Sequence, residues 1–237
     1  NCRRKAVHPL FLPSPSMFPA TVRAEHLTAF HNACRKGHAT VVVMGDSIFA
    51  TASDMVAHTE NATFAWIETL QQQLPHVKFS FINAAAGGRS WHDMNANTTP
   101  PPPWINPSEG KNWKEAVQYY QPDLLLLHSG GNDVGNFNPV DVRELASFFR
   151  DHLNPPSIIL GLTHQPSQAS TINNYGSQTY QNDLDGIIKW LRTYAQHEGL
   201  GYLDFHRWHS MRRDGFDPCE LTLTRVTPEI DTNLPAF

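Results

Sequence analysis

The amino-acid sequence predicts an α/β fold with a five-stranded parallel sheet, on two observations. Five short apolar runs alternate with longer segments whose apolar residues recur at helical spacing. Four of the five runs are followed directly by small, hydrogen-bonding residues. Parallel strands need crossover connections, which are usually helices, so the alternation indicates a parallel sheet with a ligand site at the carboxyl ends of its strands.

The first strand shows the pattern most plainly. Thr40–Met44 (TVVVM) is a β-branched run that ends abruptly at Gly45, which is typical of a strand buried on both faces. The other predicted strands are Val77–Ile82, Leu124–His128, Ser157–Leu162 and Tyr202–Phe205.

Four segments between these runs are predicted as helices. The longest, Tyr180–Glu198, places Leu184, Ile187 and Leu191 on one apolar stripe. The other three are Thr63–Leu74, Asn112–Tyr120 and Val140–Leu153. The proline-rich segment Trp91–Gly110 is instead predicted as a long loop, either a wall or lid over a site or a surface insertion without a role.

Length and composition limit the functions to consider. The 237 residues suit one globular domain, and 40% of them are hydrophobic. A net charge of −4 argues against nucleic acid or an anionic membrane as a partner, and no apolar run is long enough to span a bilayer. Three scattered cysteines are too few for a zinc cage or a disulfide framework, so no metal is expected.

The organisation predicted is an N-terminal extension over residues 1–39, a catalytic-type domain over 40–226 and a tail over 227–237. The proline-broken start does not have the pattern of a signal peptide. We expect a domain that forms part of a larger chain or assembly, extracellular or virion-associated, such as a phage tail protein or a secreted carbohydrate enzyme.

Three of the post-strand segments carry residues suited to one chemistry. Gly45-Asp46-Ser47 would expose a hydroxyl on a tight turn, Gly87-Gly88 would let a backbone N–H approach a ligand, and Asn132 could aim its amide at an oxyanion. Taken alone, each segment is better explained as a cap or a turn.

Taken together, in this order along successive strands, the three segments resemble the SGNH hydrolases, also called GDSL esterases and lipases. The resemblance covers Thr40 to Pro218. It implies a flavodoxin-like three-layer sandwich with helices on both faces of the sheet. It also implies Ser47 as the nucleophile, an oxyanion hole from Ser47, Gly88 and Asn132, and hydrolysis of esters, often acetyl groups on carbohydrates, without a cofactor.

The last motif departs from the family pattern. Where the family has an aspartate followed by a histidine, this chain has Asp214 and then Asp217. A carboxylate is a weak base at neutral pH, so the base must come from elsewhere or the site does not turn over. His206 is the first candidate for the base and His209 the second. His164 is a third histidine that could reach Ser47. Asp214, the acid matched to the family, or Asp204 would orient the imidazole.

Further side chains are predicted around the site. Arg89 would contact an anionic substrate group or form a surface salt bridge, and His128 is expected to be buried and hydrogen-bonded. The residues predicted to line the substrate site are Asp46, Arg89, Trp91 and His164, and the aromatic rings predicted to stack on sugars are Trp91, Trp104 and Trp208.

The leading hypothesis is a serine-dependent hydrolase that removes an acyl group, most often acetyl, from a saccharide or a small-molecule ester. The second is a glycan- or ester-binding module that keeps the fold but has lost its base. An acyltransferase on the same scaffold is a third.

Overall fold

The computed structural model describes residues 22–50, 62–106, 109–163 and 177–207. Five strands form one sheet in the order β2-β1-β3-β4-β5, and every pair of neighbours is parallel. The prediction of a five-stranded parallel sheet is confirmed. The strands are β1 (His38–Gly45), β2 (Lys78–Asn83), β3 (Leu124–Ser129), β4 (Ser157–Leu162) and β5 (Gly201–Asp204).

Helices connect the strands and cover both faces of the sheet, as the three-layer prediction requires. They are α1 (Thr28–Arg35), α2 (Ala62–Gln73), α3 (Trp91–Asn95), α4 (Trp113–Tyr119), α5 (Pro139–Arg150) and α6 (Gln178–His197). Short 3-10 turns occupy Ala24–Leu27 and Gly131–Asp133. Among the described helices, none has the length and apolar character needed to cross a membrane.

The two faces of the sheet bury separate apolar cores because side chains alternate along each strand. In β1, Val42 and Met44 face the core shared with α3 to α6, whereas Val41 and Val43 face the core shared with α1 and α2. β3 has the same alternation and is buried along its whole length. This is why the central strands are continuous apolar runs in the sequence.

Two boundaries differ from the prediction. Phe30, Ala33 and Cys34 of α1 are buried in the second core, so the boundary drawn at residue 40 cuts through elements that share one core. The Phe30 N–H also donates to Ser157 Oγ at the start of β4, at 3.1 Å. The segment predicted as a long loop begins with helix α3, whose Trp91 is fully buried.

Candidate active site

The turn after β1 presents Ser47 to solvent, while Asp46 is buried and Ile48 is half-buried. Asp46 builds this turn. Its carbonyl accepts hydrogen bonds from the N–H groups of Phe49 and Ala50, at 3.2 and 3.0 Å, and its carboxylate Oδ1 accepts one from Ile48 N–H at 3.0 Å. Asp46 is only 2% exposed and its carboxylate is used inside the turn, which does not favour the predicted contact with substrate.

The segment after β2 lies beside Ser47. The Ala86 N–H donates to Gly45 O at 2.8 Å, which extends the pairing of the two strands past their ends. The Asn83 side chain donates to Phe49 O at 2.7 Å. A Cβ built on Gly87 would lie 3.9 Å from Ser47 Cβ. The second segment is therefore in van der Waals reach of the serine.

Gly88 follows with its backbone accessible. Its φ is +70°, a conformation that favours glycine, and a Cβ there would meet no atom of the described residues within 4 Å. The described part of the chain therefore leaves space on the side of this peptide where a side chain would otherwise stand. A ligand can therefore approach the main chain here.

The segment after β3 closes onto the second segment. Gly130, with a φ of +145°, begins the short 3-10 turn that carries Asn132. Asn132 Nδ2 donates to Arg89 O at 2.9 Å, so its amide lies next to Gly88 along the chain. The three post-strand segments that the sequence analysis singled out thus converge at one end of the sheet.

Asp133 connects the segments after β2 and β3 through its hydrogen bonds. It accepts hydrogen bonds from Trp91 N–H at 2.9 Å and from Ser129 Oγ at 2.8 Å. Burial raises the pKa of Asp133 from 3.8 to about 6, although these two hydrogen bonds act in the opposite direction. Ser129 Oγ is also 3.1 Å from Arg89 O and has one hydrogen to donate. If Asp133 is protonated, its O–H can donate to Ser129 Oγ. The hydroxyl hydrogen of Ser129 can then be donated to Arg89 O.

The sequence of residues 43–222 matches the model of the GDSL-like Lipase/Acylhydrolase family, and this range is most of the 237-residue chain. The chain belongs to this family. Membership supports hydrolysis of a carboxylic ester as the class of reaction. A comparison with curated protein sequences gives no match.

Solved structures of esterases share the fold of this GDSL-like hydrolase. A catalytic mutant of an acetylxylan esterase from Geobacillus stearothermophilus is similar with a TM-score of 0.57 and 15% identity, over 78% of this chain and 84% of that one. An alpha/beta hydrolase from the metagenome of Lake Arreo, Spain, gives 0.51 and 16%, over 81% and 88%. A gut microbial diltiazem-metabolizing enzyme gives 0.52 and 16% over 75% of this chain, which spans only 39% of that one.

The first-choice base of this GDSL-like hydrolase, His206, is engaged at the far edge of the sheet. Its Nε2 is 3.0 Å from Asp185 Oδ1 of α6. Burial lowers the pKa of His206, against the opposing pull of Asp185 and Asp204. Phe205, the residue before His206, packs against Phe49 of the serine turn with ring centroids 5.8 Å apart. It is therefore the pairing with Asp185, and not the distance from β1, that argues against His206 as the base for Ser47.

Asp204, proposed as an orienting acid, has other partners. Its carboxylate binds Arg192 at 2.8 Å and accepts from Arg207 N–H at 2.9 Å. The prediction that Asp204 orients an imidazole is therefore not supported, and Asp185 is the carboxylate that pairs with His206. Sequence reasoning missed Asp185 because it lies on the side of α6 away from the apolar stripe. The remaining predicted residues lie outside the described residues: His164, Trp208, His209, Asp214 and Asp217.

The other residues predicted around the site differ in their burial. Trp91 is fully buried, so the expectation that its ring is exposed to stack on a sugar is wrong. Trp104 is 43% exposed and is anchored by its Nε1–H to Asn83 O at 3.0 Å. Arg89 forms an i,i+4 salt bridge with Asp93 at 3.4 Å. A salt bridge was the predicted alternative to contact with an anionic substrate group. His128 is buried and hydrogen-bonded, as predicted.

Proposed function

We propose that the protein removes acetyl groups from a saccharide ester, with Ser47 as the nucleophile. The observation that carries the proposal is the convergence of three segments on one point. Ser47 is exposed on its turn, Gly87 lies against it, and Asn132 reaches the backbone next to Gly88. A site that holds a nucleophile beside preorganised donors suits acyl transfer.

In the proposed reaction, Ser47 Oγ attacks the ester carbonyl carbon while a base takes the hydroxyl proton. The tetrahedral intermediate then collapses, the bond to the sugar oxygen breaks, and that oxygen takes the proton from the base. Water attacks the acyl-serine in the same way, which releases acetate and restores the hydroxyl. Each half-reaction passes through an oxyanion on the former carbonyl oxygen.

The donors proposed for that oxyanion are the N–H groups of Ser47 and Gly88 and the amide of Asn132. The space that the described residues leave above Gly88 gives room for substrate at its peptide. Asn132 Nδ2 carries two hydrogens, and the bond to Arg89 O uses one of them. The second hydrogen is the one that we assign to the oxyanion.

The base is proposed to be a histidine of the segments that follow β4 and β5. The pairing of His206 with Asp185 favours His209 and His164 over His206. Single alanine variants of the three histidines distinguish them, because loss of the base removes turnover of every ester whereas loss of a surface histidine does not.

The saccharide is supported by the exposed side chain of Trp104 beside the end of β2, next to the proposed site. A partly exposed indole held by one hydrogen bond can pack against the apolar face of a sugar ring. Structural relatives of this chain include a protein named as an acetylxylan esterase, and acetylated xylo-oligosaccharides are therefore the first substrate to test.

The test compares wild type with Ser47→Ala on p-nitrophenyl acetate and on acetylated xylo-oligosaccharides. We expect turnover of both by the wild type, and a loss of at least about 10³-fold in the variant. Asp46→Asn would not serve as the control because it alters the turn. The exposed Asn136→Ala, on the loop after Asn132, is a suitable one.

A second function is favoured by one observation, the aspartate at position 217 where the family motif has histidine. If neither wild type nor Ser47→Ala hydrolyses either ester, while acetylated oligosaccharide binds with a measurable Kd, the protein is a binding module and the hydrolase proposal fails. Hydrolysis that persists in Ser47→Ala would also contradict the proposed nucleophile.

A further inference from the structure

We propose that His128 is a positioning residue for Ser47, acting through the carboxylate of Asp46. The inference rests on the proposed function, because it assigns a role in placing the nucleophile of that reaction. His128 lies on β3, directly beside the end of β1, and has no exposed surface. Nothing in the proposed reaction requires a buried histidine at this position.

The sheet is built to accommodate the ring. In the register of the three central strands, His128 is paired with Gly45 on one side and with Gly161 on the other. A Cβ on Gly161 would stand 2.8 Å from His128 Cδ2, closer than packed atoms allow. The imidazole therefore occupies the space that a side chain at position 161 would need.

The ring supplies a hydrogen bond to the serine turn. His128 Nδ1 is 3.2 Å from Asp46 Oδ1, the same oxygen that accepts from Ile48 N–H. A carboxylate only accepts, so Nδ1 carries the hydrogen of this contact. Nε2 is buried and has no hydrogen-bond partner among the described residues. A buried polar atom without a partner lowers the stability of the folded state. An apolar side chain would fill this space without that cost, so packing alone does not explain a histidine here.

Aromatic contacts extend the same support. The Phe49 ring packs edge-on against His128 with centroids 4.7 Å apart, and the Phe205 ring does so at 6.2 Å. Phe49 is two residues after Ser47, so the imidazole holds both ends of the turn: Asp46 through a hydrogen bond and Phe49 through its face. Displacing Asp46 would move the Ser47 hydroxyl relative to Gly88 and Asn132.

Three variants separate the hydrogen bond from the volume of the ring. Asn and Leu have nearly the same shape, so His128→Asn keeps a donor near Nδ1 and His128→Leu removes it, with similar cavities left by both. His128→Phe fills the cavity but has no donor, which keeps the test valid if His128→Leu fails to fold. Leu126→Ala, on the same strand and the same face, is the control for a cavity that does not touch Asp46.

The readouts are kcat and KM for p-nitrophenyl acetate and the rate at which a fluorophosphonate labels Ser47, all per mole of folded protein. We expect His128→Leu and His128→Phe to lower kcat and the labelling rate by about tenfold or more, with KM within about threefold of wild type, since a small misplacement of a reacting group costs this much. His128→Asn is expected to recover most of kcat, and Leu126→Ala to keep it.

Two results would overturn the inference. If His128→Phe keeps the wild-type kcat, the hydrogen bond does not position the serine. If His128→Asn loses as much kcat as His128→Leu, the volume of the ring matters and its donor does not. In both cases the wild type still turns over through Ser47, so the proposed function stands. A wild type that neither hydrolyses the ester nor is labelled removes both proposals together.

Discussion

Polar side chains are held differently at the two sides of the sheet's carboxyl end, which we call the nucleophile edge, after the role proposed for Ser47, and the β5 edge. At the nucleophile edge, formed by the segments after β1, β2 and β3, several short side chains bond to main-chain groups of the neighbouring segment, as Asn132 does to Arg89 O and Asn83 to Phe49 O. At the β5 edge, longer side chains bond to one another: His206 to Asp185 and Asp204 to Arg192.

The difference explains why the contacts at one edge are predictable from the sequence and those at the other are not. A short side chain on a tight turn reaches only groups close to it, so its partners follow from the order of the strands. A long side chain reaches across elements, and its partner depends on which helix face lies nearby. Sequence spacing therefore located Ser47, Gly88 and Asn132 together but did not pair His206 with Asp185.

After that of Ser47→Ala, the largest effect is expected at the nucleophile edge, from Asn132→Ala. Loss of one side-chain donor to an oxyanion lowers kcat by about 10²–10³-fold, with a smaller change in KM. The measurement is steady-state kinetics on p-nitrophenyl acetate, with the exposed Asn136→Ala as the matched control. A kcat within twofold of wild type would mean that Asn132 only ties the two loops together.

Asp133→Asn probes the support beneath the same edge. The pKa of Asp133 is raised in the folded state, so its contribution to stability is present below about pH 3.8 and is lost as pH rises through about 6. A rise of about two in pKa corresponds to about 3 kcal/mol. Asparagine mimics the protonated carboxyl without titrating: its oxygen can accept from Trp91 N–H and its amide N–H can donate to Ser129 Oγ. The stability of the variant relative to wild type should therefore increase by up to about 3 kcal/mol from pH 4 to pH 7.5.

Urea unfolding at pH 4.0, 5.5 and 7.5 measures this relative stability. Asp151→Asn, an exposed carboxyl at the end of α5, should leave the wild-type pH dependence unchanged. A difference between Asp133→Asn and wild type that does not vary with pH would show that the carboxyl is already ionised throughout this range.

A smaller effect, and one confined to the larger substrate, is expected from Trp104→Ala. Removing a half-exposed indole should raise KM for acetylated xylo-oligosaccharides by about tenfold, or about 1.4 kcal/mol, through loss of apolar contact. KM for p-nitrophenyl acetate should not change, because that ester has no sugar ring. Equal effects on both esters would indicate that Trp104 supports the loop at Asn83 rather than a sugar.

The smallest change should come from the β5 edge, where His206→Ala is expected to keep kcat within about threefold of wild type. Its ring pairs with Asp185 rather than with the nucleophile edge. Asp185→Ala, measured beside it, should behave alike if the pair is structural. A loss of turnover with His206→Ala would instead make this pair the base and its orienting acid, and the contrast between the two edges would disappear.

Most of the fold was predictable because buried parallel strands leave long apolar runs in the sequence. β4 was predicted with its observed bounds, Ser157–Leu162. Helix α3 was missed because it has only five residues and precedes a proline-rich stretch. A signal for it was present: Ser90 and Asp93 form a capping box, in which the hydroxyl accepts from Asp93 N–H and the carboxylate from Ser90 N–H. The burial of Trp91 depends on packing against distant elements, which spacing does not report.

The two glycines that flank His128 differ in what they tolerate. A methyl group on Gly45 would lie 2.6 Å from the main-chain oxygen of His128, so no change of side chain at position 128 could make room for it. The obstacle at Gly161 is the imidazole itself. Alanine at 161 should therefore be poorly accepted alone but far better accepted with a smaller residue at 128, because the two substitutions act on the same space.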